Sequence, residues 1–194
     1  MKLGILLAAG ASTRMGRPKL ELPVEGSSIL GASVAVLLAC PFERVRVVVA
    51  LGTSASLEED PRVEIVFNPE AEEGIASSIR AGLRGLGEEW TVAAIALADL
   101  PLTRSATVRK LLEVAVESGS PIVYPTYRGE QGHPVLWRRE LFDELRALHG
   151  DRGAKSLLAK YRDRSVAVAV DDPGVCLDID TPQDYARFLK SLAR

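Results

Sequence analysis

The sequence predicts an α/β fold in which helices cover both faces of a mostly parallel central sheet, and three observations carry that prediction. Apolar runs enriched in β-branched residues alternate with longer segments of helical period. The run 91–98 is apolar on both faces, as the central strand of a parallel sheet must be. The chain, 194 residues long and 47% hydrophobic, is of a size and composition that close one compact core, so residues 1–194 are expected to form one domain.

The elements follow in order. Residues 3–8 read as a first buried strand, 28–38 as a helix, and 44–50, with four valines, as a second strand. A short strand at 63–67 precedes a helix at 74–86 and the central strand at 91–98. A helix at 105–117 and a strand at 121–124 come next, then helices at 139–148 and 154–161 and a strand at 166–170. The last helix opens on Thr181-Pro182-Gln183-Asp184: a capping hydroxyl, a proline in the first turn and an acid at the third position. No linker, repeat or low-complexity stretch interrupts this series of strand–helix units.

Charge and cysteine usage narrow the function. A net charge of -2 and a pI near 5.8 argue against a nucleic-acid surface, which shows a clustered basic excess. Cys40 and Cys176 lie far apart in apolar surroundings without metal-ligand spacing, and read as buried thiols of a reducing compartment. No apolar run reaches bilayer length, and the short N-terminal one ends in a glycine- and arginine-rich turn. A buried strand explains it better than a signal peptide, so the expected location is cytoplasmic with no membrane contact.

The first strand runs into Leu7-Ala8-Ala9-Gly10-Ala11-Ser12-Thr13-Arg14-Met15-Gly16-Arg17-Pro18-Lys19. Small residues at the carboxyl end of a parallel strand let backbone N–H groups approach phosphates, and Arg14 and Lys19 add cations at the same mouth. Neither the Walker loop nor the dinucleotide-binding glycine pattern is present, and a solvated strand–helix turn reads the spacing equally well. After the central strand, Asp99-Leu100-Pro101 offers either a hard oxygen ligand for magnesium or the cap of the next helix. Asp178 and Asp180, two apart on an extended segment, point the same way; they complete a metal site with Asp99 or serve as helix-start acids.

Three further segments are polar without settling their own role. In Gly129-Glu130-Gln131-Gly132-His133-Pro134, two glycines allow a backbone close to a ligand, and His133 is either a ligand contact or structural. Gly150-Asp151-Arg152-Gly153-Ala154-Lys155 has the form of a helix cap. Asn68, the lone asparagine of the chain, carries donors and an acceptor that suit a pyrimidine edge. It is followed by Gly74 and by Ser77 and Ser78, whose hydroxyls can equally cap a helix. His149 reads as a surface residue.

The loop Leu-Ala-Ala-Gly-x-Ser-x-Arg-Met-Gly-x-Pro-Lys resembles the N-terminal signature of the molybdenum cofactor cytidylyltransferases, among the nucleotidyltransferases that include their guanylyl relatives. The segments ending in Asp99-Leu100-Pro101, Gly132-His133-Pro134, Gly153-Ala154-Lys155 and Asp178-Ile179-Asp180-Thr181-Pro182 resemble further family motifs, in the same order, so that the likeness covers almost the whole chain. It departs from the pattern at Ala98 and Leu100, where the family has glycine and methionine.

The resemblance implies a Rossmann-like three-layer sandwich of the nucleotide-diphospho-sugar transferase type, and a magnesium-dependent transfer of CMP from CTP to molybdopterin with release of pyrophosphate. By the same match, Leu7, Ala8, Ala9, Gly10, Ser12, Arg14, Lys19, Asn68, Gly74, Ser77, Ser78 and Asp99 would hold the nucleotide, with Lys19, Arg14 and Asp99 catalytic. Magnesium would sit on Asp99 and Asp178, with Asp180 in reserve, and Gly132, His133 and Arg152 would take the acceptor. Ala9, where the guanylyl branch has glycine, implies cytosine over guanine. Transient contact with an apo-molybdoenzyme that receives the product is implied by analogy. The alternatives are transfer to a sugar or alditol phosphate, GTP-dependent guanylyl transfer, and a non-catalytic cofactor chaperone.

Overall fold

The computed structural model describes residues 1–10, 18–24, 26–53, 57, 59–151 and 153–192, the last two by backbone alone. Its core is an eight-stranded sheet of order β10-β7-β9-β6-β1-β4-β5, with β8 paired to β7. The chain enters through β1 (Lys2–Leu7), passes a small hairpin, β2 (Pro23–Val24) and β3 (Ser27–Ser28), and continues through α1 (Ile29–Leu38), β4 (Arg44–Ala50) and β5 (Val63–Asn68). It then forms α2 (Ile75–Gly82), β6 (Val92–Leu97), α3 (Ser105–Ser118), β7 (Ile122–Tyr127), β8 (Glu130–Gln131) and β9 (Val135–Arg138). The last elements are α4 (Phe142–Arg146), α5 (Lys155–Lys160), β10 (Ser165–Ala169) and α6 (Pro182–Leu192).

The three layers follow from which face each apolar residue takes. Leu6, Val47, Val49, Ala94 and Ala96 meet Val34 and Leu37 of α1 and Val108 and Leu111 of α3 on one side. Leu3, Ile5, Val48, Ala93 and Ile95 meet Ile79 of α2 and Phe142 and Leu145 of α4 on the other. Every residue of β6 from Val92 to Ala96 is buried, which is what a central strand covered on both faces requires. The α/β three-layer expectation therefore holds.

One strand departs from it. β9 answers to no predicted element: it inserts antiparallel between β6 and β7, with Ala94 facing Leu136 and Val123 facing Leu136 from the other side. Its apolar run is only Val135-Leu136-Trp137, too short to declare a period, and the long-range pairing is what makes it a strand. The helix expected at 74–86 stops at Gly82, where a Cβ would stand 2.6 Å from Ile5 Cγ2. The helix expected at 139–148 divides into a 3-10 turn, Arg139–Leu141, and the short α4. Cys40 is buried as expected, whereas Cys176 is only half-buried.

Helix ends are satisfied locally and at a distance. Thr181 Oγ1 accepts from the Asp184 amide while Asp184 Oδ2 accepts from the Thr181 amide at 2.9 Å, the reciprocal box its sequence announced. The start of α3 is closed from elsewhere: buried Asp172 accepts from the Arg104 amide at 2.9 Å and from Thr107 Oγ1 at 2.7 Å. Among the described residues, no helix is long and apolar enough to cross a membrane.

Candidate active site

β1 lies between β4 and β6, parallel to both. The chain leaves β1 toward one side of the sheet and returns on the other, so the carboxyl ends of β1 and β6 flank a topological switch point, the crevice where open α/β sheets bind ligands. Two hydrogen bonds carry the pairing past the strand ends: the Ala8 amide donates to Val48 O at 2.8 Å and the Ala98 amide to Leu7 O at 3.1 Å. A cleft of about 1130 Å³ opens there, lined by Leu7 to Gly10, Lys19, Gly74, Ser78, Asp99 and Asp180 among others.

At its centre, Lys19 Nζ donates to Asp99 Oδ2 at 2.8 Å and to Asp180 Oδ1 at 2.7 Å. Burial works against the lysine's charge, but the carboxylates of Asp180 and Asp99 outweigh it and hold its pKa above the usual lysine value. The two acids come from distant segments fixed by backbone contacts. The Ile179 amide donates to Asp99 O at 2.9 Å, and Ile179 itself is buried against Phe188. Ser33 on α1, 4% exposed, donates its hydroxyl to Ala98 O at 2.8 Å and so holds the peptide that carries Asp99.

Asp99 Oδ1 is buried and has no hydrogen-bond partner. Such an atom is costly unless a cation meets it. Asp99 and Asp180 bring two carboxylates to one place, with Asp178 near enough to feel their charges. That donor set fits magnesium, which is held by one or two carboxylates together with substrate phosphates and water. Asp178 is exposed; its carboxyl pKa is raised by burial and by the charges of Asp180 and Asp99. It is near the pair, while Asp180 is the residue that shares Lys19 with Asp99.

The remaining predicted positions divide. Asn68 is 1% exposed; its amide nitrogen donates to Ser77 Oγ at 2.8 Å and to Ser78 Oγ at 3.1 Å, and its oxygen accepts from the Glu70 amide at 3.0 Å. It ties β5 to α2, and Ser78, not Asn68 or Ser77, reaches the cleft lining. Gly132 is packed so that a Cβ would stand 2.6 Å from Val175 Cγ2. His133 lines an interior cavity of about 10 Å³ with Ser33 and Leu97, with Nδ1 unpartnered. Burial lowers its pKa, against the raising effects of a backbone hydrogen bond to Ile95 and of Asp99. Neither Gly132 nor His133 is among the cleft-lining residues. Ser12, Arg14 and Arg152 lie outside the described residues.

Sequence reasoning passed over Asp151, which it read only as a cap. Asp151 lines the cleft beside Gly74, placed there by the turn after α4. With Glu21, Glu72, Asp99 and Asp180 it makes the charged side chains of the described lining acidic apart from Lys19, and only tertiary packing could have revealed that.

A model of the MobA-like NTP transferase domain matches residues 4–166. The purine catabolism protein PucB of Bacillus subtilis is 32% identical, over 98% of this chain and 97% of its own length. The molybdenum cofactor cytidylyltransferase of Escherichia coli is 26% identical, over 93% of this chain and 92% of its own. Among solved structures, the manganese complex of Rv0371C from Mycobacterium tuberculosis superposes with a TM-score of 0.78 at 31% identity, covering 98% of both chains.

Proposed function

This chain belongs to the MobA-like NTP transferase family, and on that premise we propose that it transfers CMP from CTP to molybdopterin, forming the cytosine dinucleotide and releasing pyrophosphate. The observation that carries the proposal is the cluster of Lys19, Asp99 and Asp180 at the mouth of β1 and β6, the switch-point position where phosphates bind. A relative named as a molybdenum cofactor cytidylyltransferase supports the acceptor and the base. Ala9, on the cleft wall, supports cytosine over guanine.

The chemistry asks little covalent work of the protein. A phosphate oxygen of the acceptor attacks the α-phosphorus of CTP in line; the new P–O bond forms as the bond to the β-phosphate oxygen breaks, and pyrophosphate leaves with that electron pair. An ionised phosphate nucleophile needs no general base, so catalysis is alignment and charge neutralisation. Asp99 and Asp180 hold magnesium, which supplies positive charge at the reacting phosphates. A triphosphate meeting the five carboxylates of the described lining needs such cations, and the manganese complex of a relative is in keeping with a divalent ion. Lys19 offsets charge on the leaving pyrophosphate, Ser78 and the backbone of Ala8 to Gly10 border the nucleotide, and an apo-molybdoenzyme takes the product.

The test is pyrophosphate release with magnesium and each of the four NTPs, with and without molybdopterin, against Asp99→Ala as blank. Release that depends on both CTP and molybdopterin is expected. Release with CTP and a sugar or alditol phosphate alone reassigns the acceptor, and GTP-dependent release reassigns the base.

A further inference from the structure

The Lys19 ammonium is bound as a metal ion would be, between one oxygen of Asp99 and one of Asp180, at 2.8 and 2.7 Å. We infer that in the nucleotide-free chain Lys19 occupies the divalent-cation position, that metal and lysine exclude each other there, and that a triphosphate releases the lysine by offering it a second set of oxygens. The inference rests on the reading of Asp99 and Asp180 as the metal pair.

Three observations support it. The lysine side chain is 11% exposed and the acids 22% and 23%, so these contacts are sheltered from water and are stronger than surface ion pairs. Asp99 Oδ1 lacks a partner even with Lys19 in place; a divalent ion at the two carboxylates meets it. Lys19, Asp99 and Asp180 all line the cleft, where the phosphate oxygens of an incoming nucleotide complete the metal's shell. Those same phosphates attract the ammonium, and its flexible four-carbon stem lets it follow them. Nucleotide and metal then enter together, and the empty site is protected from stray divalent ions.

Manganese titrated into the nucleotide-free protein and followed by its electron paramagnetic resonance signal tests this without turnover. Lys19→Met should bind Mn²⁺ about tenfold tighter than the wild type, within the usual range of coupling between two sites, and Asp99→Asn should lose binding. Unchanged or weaker binding by Lys19→Met while Asp99→Asn loses it overturns the exclusion alone; wild-type affinity in Asp99→Asn removes the metal pair itself. A crystal structure of the unmutated chain with Mn²⁺ and a non-hydrolysable CTP analogue checks the displacement independently of that variant's folding. Lys19 Nζ should have left both carboxylates for the phosphates, and a metal seated with Lys19 still bridging Asp99 and Asp180 overturns the inference.

Discussion

Gly74 lies directly against Asp151: a Cβ built on the glycine would stand 2.8 Å from Asp151 Cα and 2.9 Å from Asp151 Oδ1. Its backbone, at φ 99 and ψ -175, is in a region essentially reserved for glycine. The contact joins the start of α2 to Asp151, so two walls of the cleft share one spacing. Gly74→Ala should therefore cost about 2 kcal/mol from backbone strain alone, read as a lower urea midpoint, and raise the KM for NTP several-fold. An unchanged midpoint would mean that Asp151 yields freely and that the two walls are independent.

Lys19→Ala and Asp99→Ala should each lower turnover by about a thousandfold or more, since charge stabilisation and metal holding are the main catalytic devices of this chemistry. Both side chains sit at strand mouths outside the apolar core, so circular dichroism should show an intact fold. Near-normal turnover in either variant would place the reaction elsewhere in the cleft.

The strands that carry this site were legible because their periods are long and their apolar faces continuous, as in Val45 to Val49. β9 was not, since three apolar residues specify no period and its place is fixed by pairing with β6 on one side and β7 on the other. The site divides in the same way. The loop after β1 and Asp99 announce themselves by position at strand ends. The sharing of Lys19 between Asp99 and Asp180 does not, because residues two apart on an extended segment project to the same side, and the burial of Ile179 that fixes the segment is a tertiary fact. Asn68 carried the right functional groups for a base, and only the structure shows its amide engaged by Ser77, Ser78 and Glu70.

Ser33 is the polar residue on the buried face of α1, and its hydroxyl is committed to Ala98 O. Ser33→Ala leaves that buried carbonyl short of a donor, which should cost about 1–3 kcal/mol in urea unfolding. Because the peptide so held carries Asp99, Mn²⁺ affinity should also fall by about tenfold, the lower end of what second-layer contacts contribute. Loss of stability with unchanged Mn²⁺ affinity would make Ser33 a packing residue only.

His133 gives a pH signature. Its pKa is lowered, chiefly by burial, from an ordinary value of 6.5. Above that value the ring is neutral in both folded and unfolded chains, and its effect on stability is fully favourable. As pH falls below it, the unfolded chain takes up a proton that the folded chain refuses, so stability is lost progressively down to the folded pKa. His133→Gln should flatten the fall in urea midpoint as the pH drops below about 6.5. A wild-type slope in the variant would assign the fall to other groups.

Ala9 bears on which base enters. It follows the buried pair Leu7 and Ala8 and is half-exposed on the cleft wall, and under the proposed cytidylyl transfer its methyl group is the feature that disfavours guanine. Ala9→Gly removes that group and nothing else on the wall. A single methyl in a pocket contributes on the order of tenfold to a hundredfold in discrimination, so the ratio of kcat/KM for CTP over GTP should fall by about tenfold, mostly through faster use of GTP. An unchanged ratio would remove Ala9 from base selection.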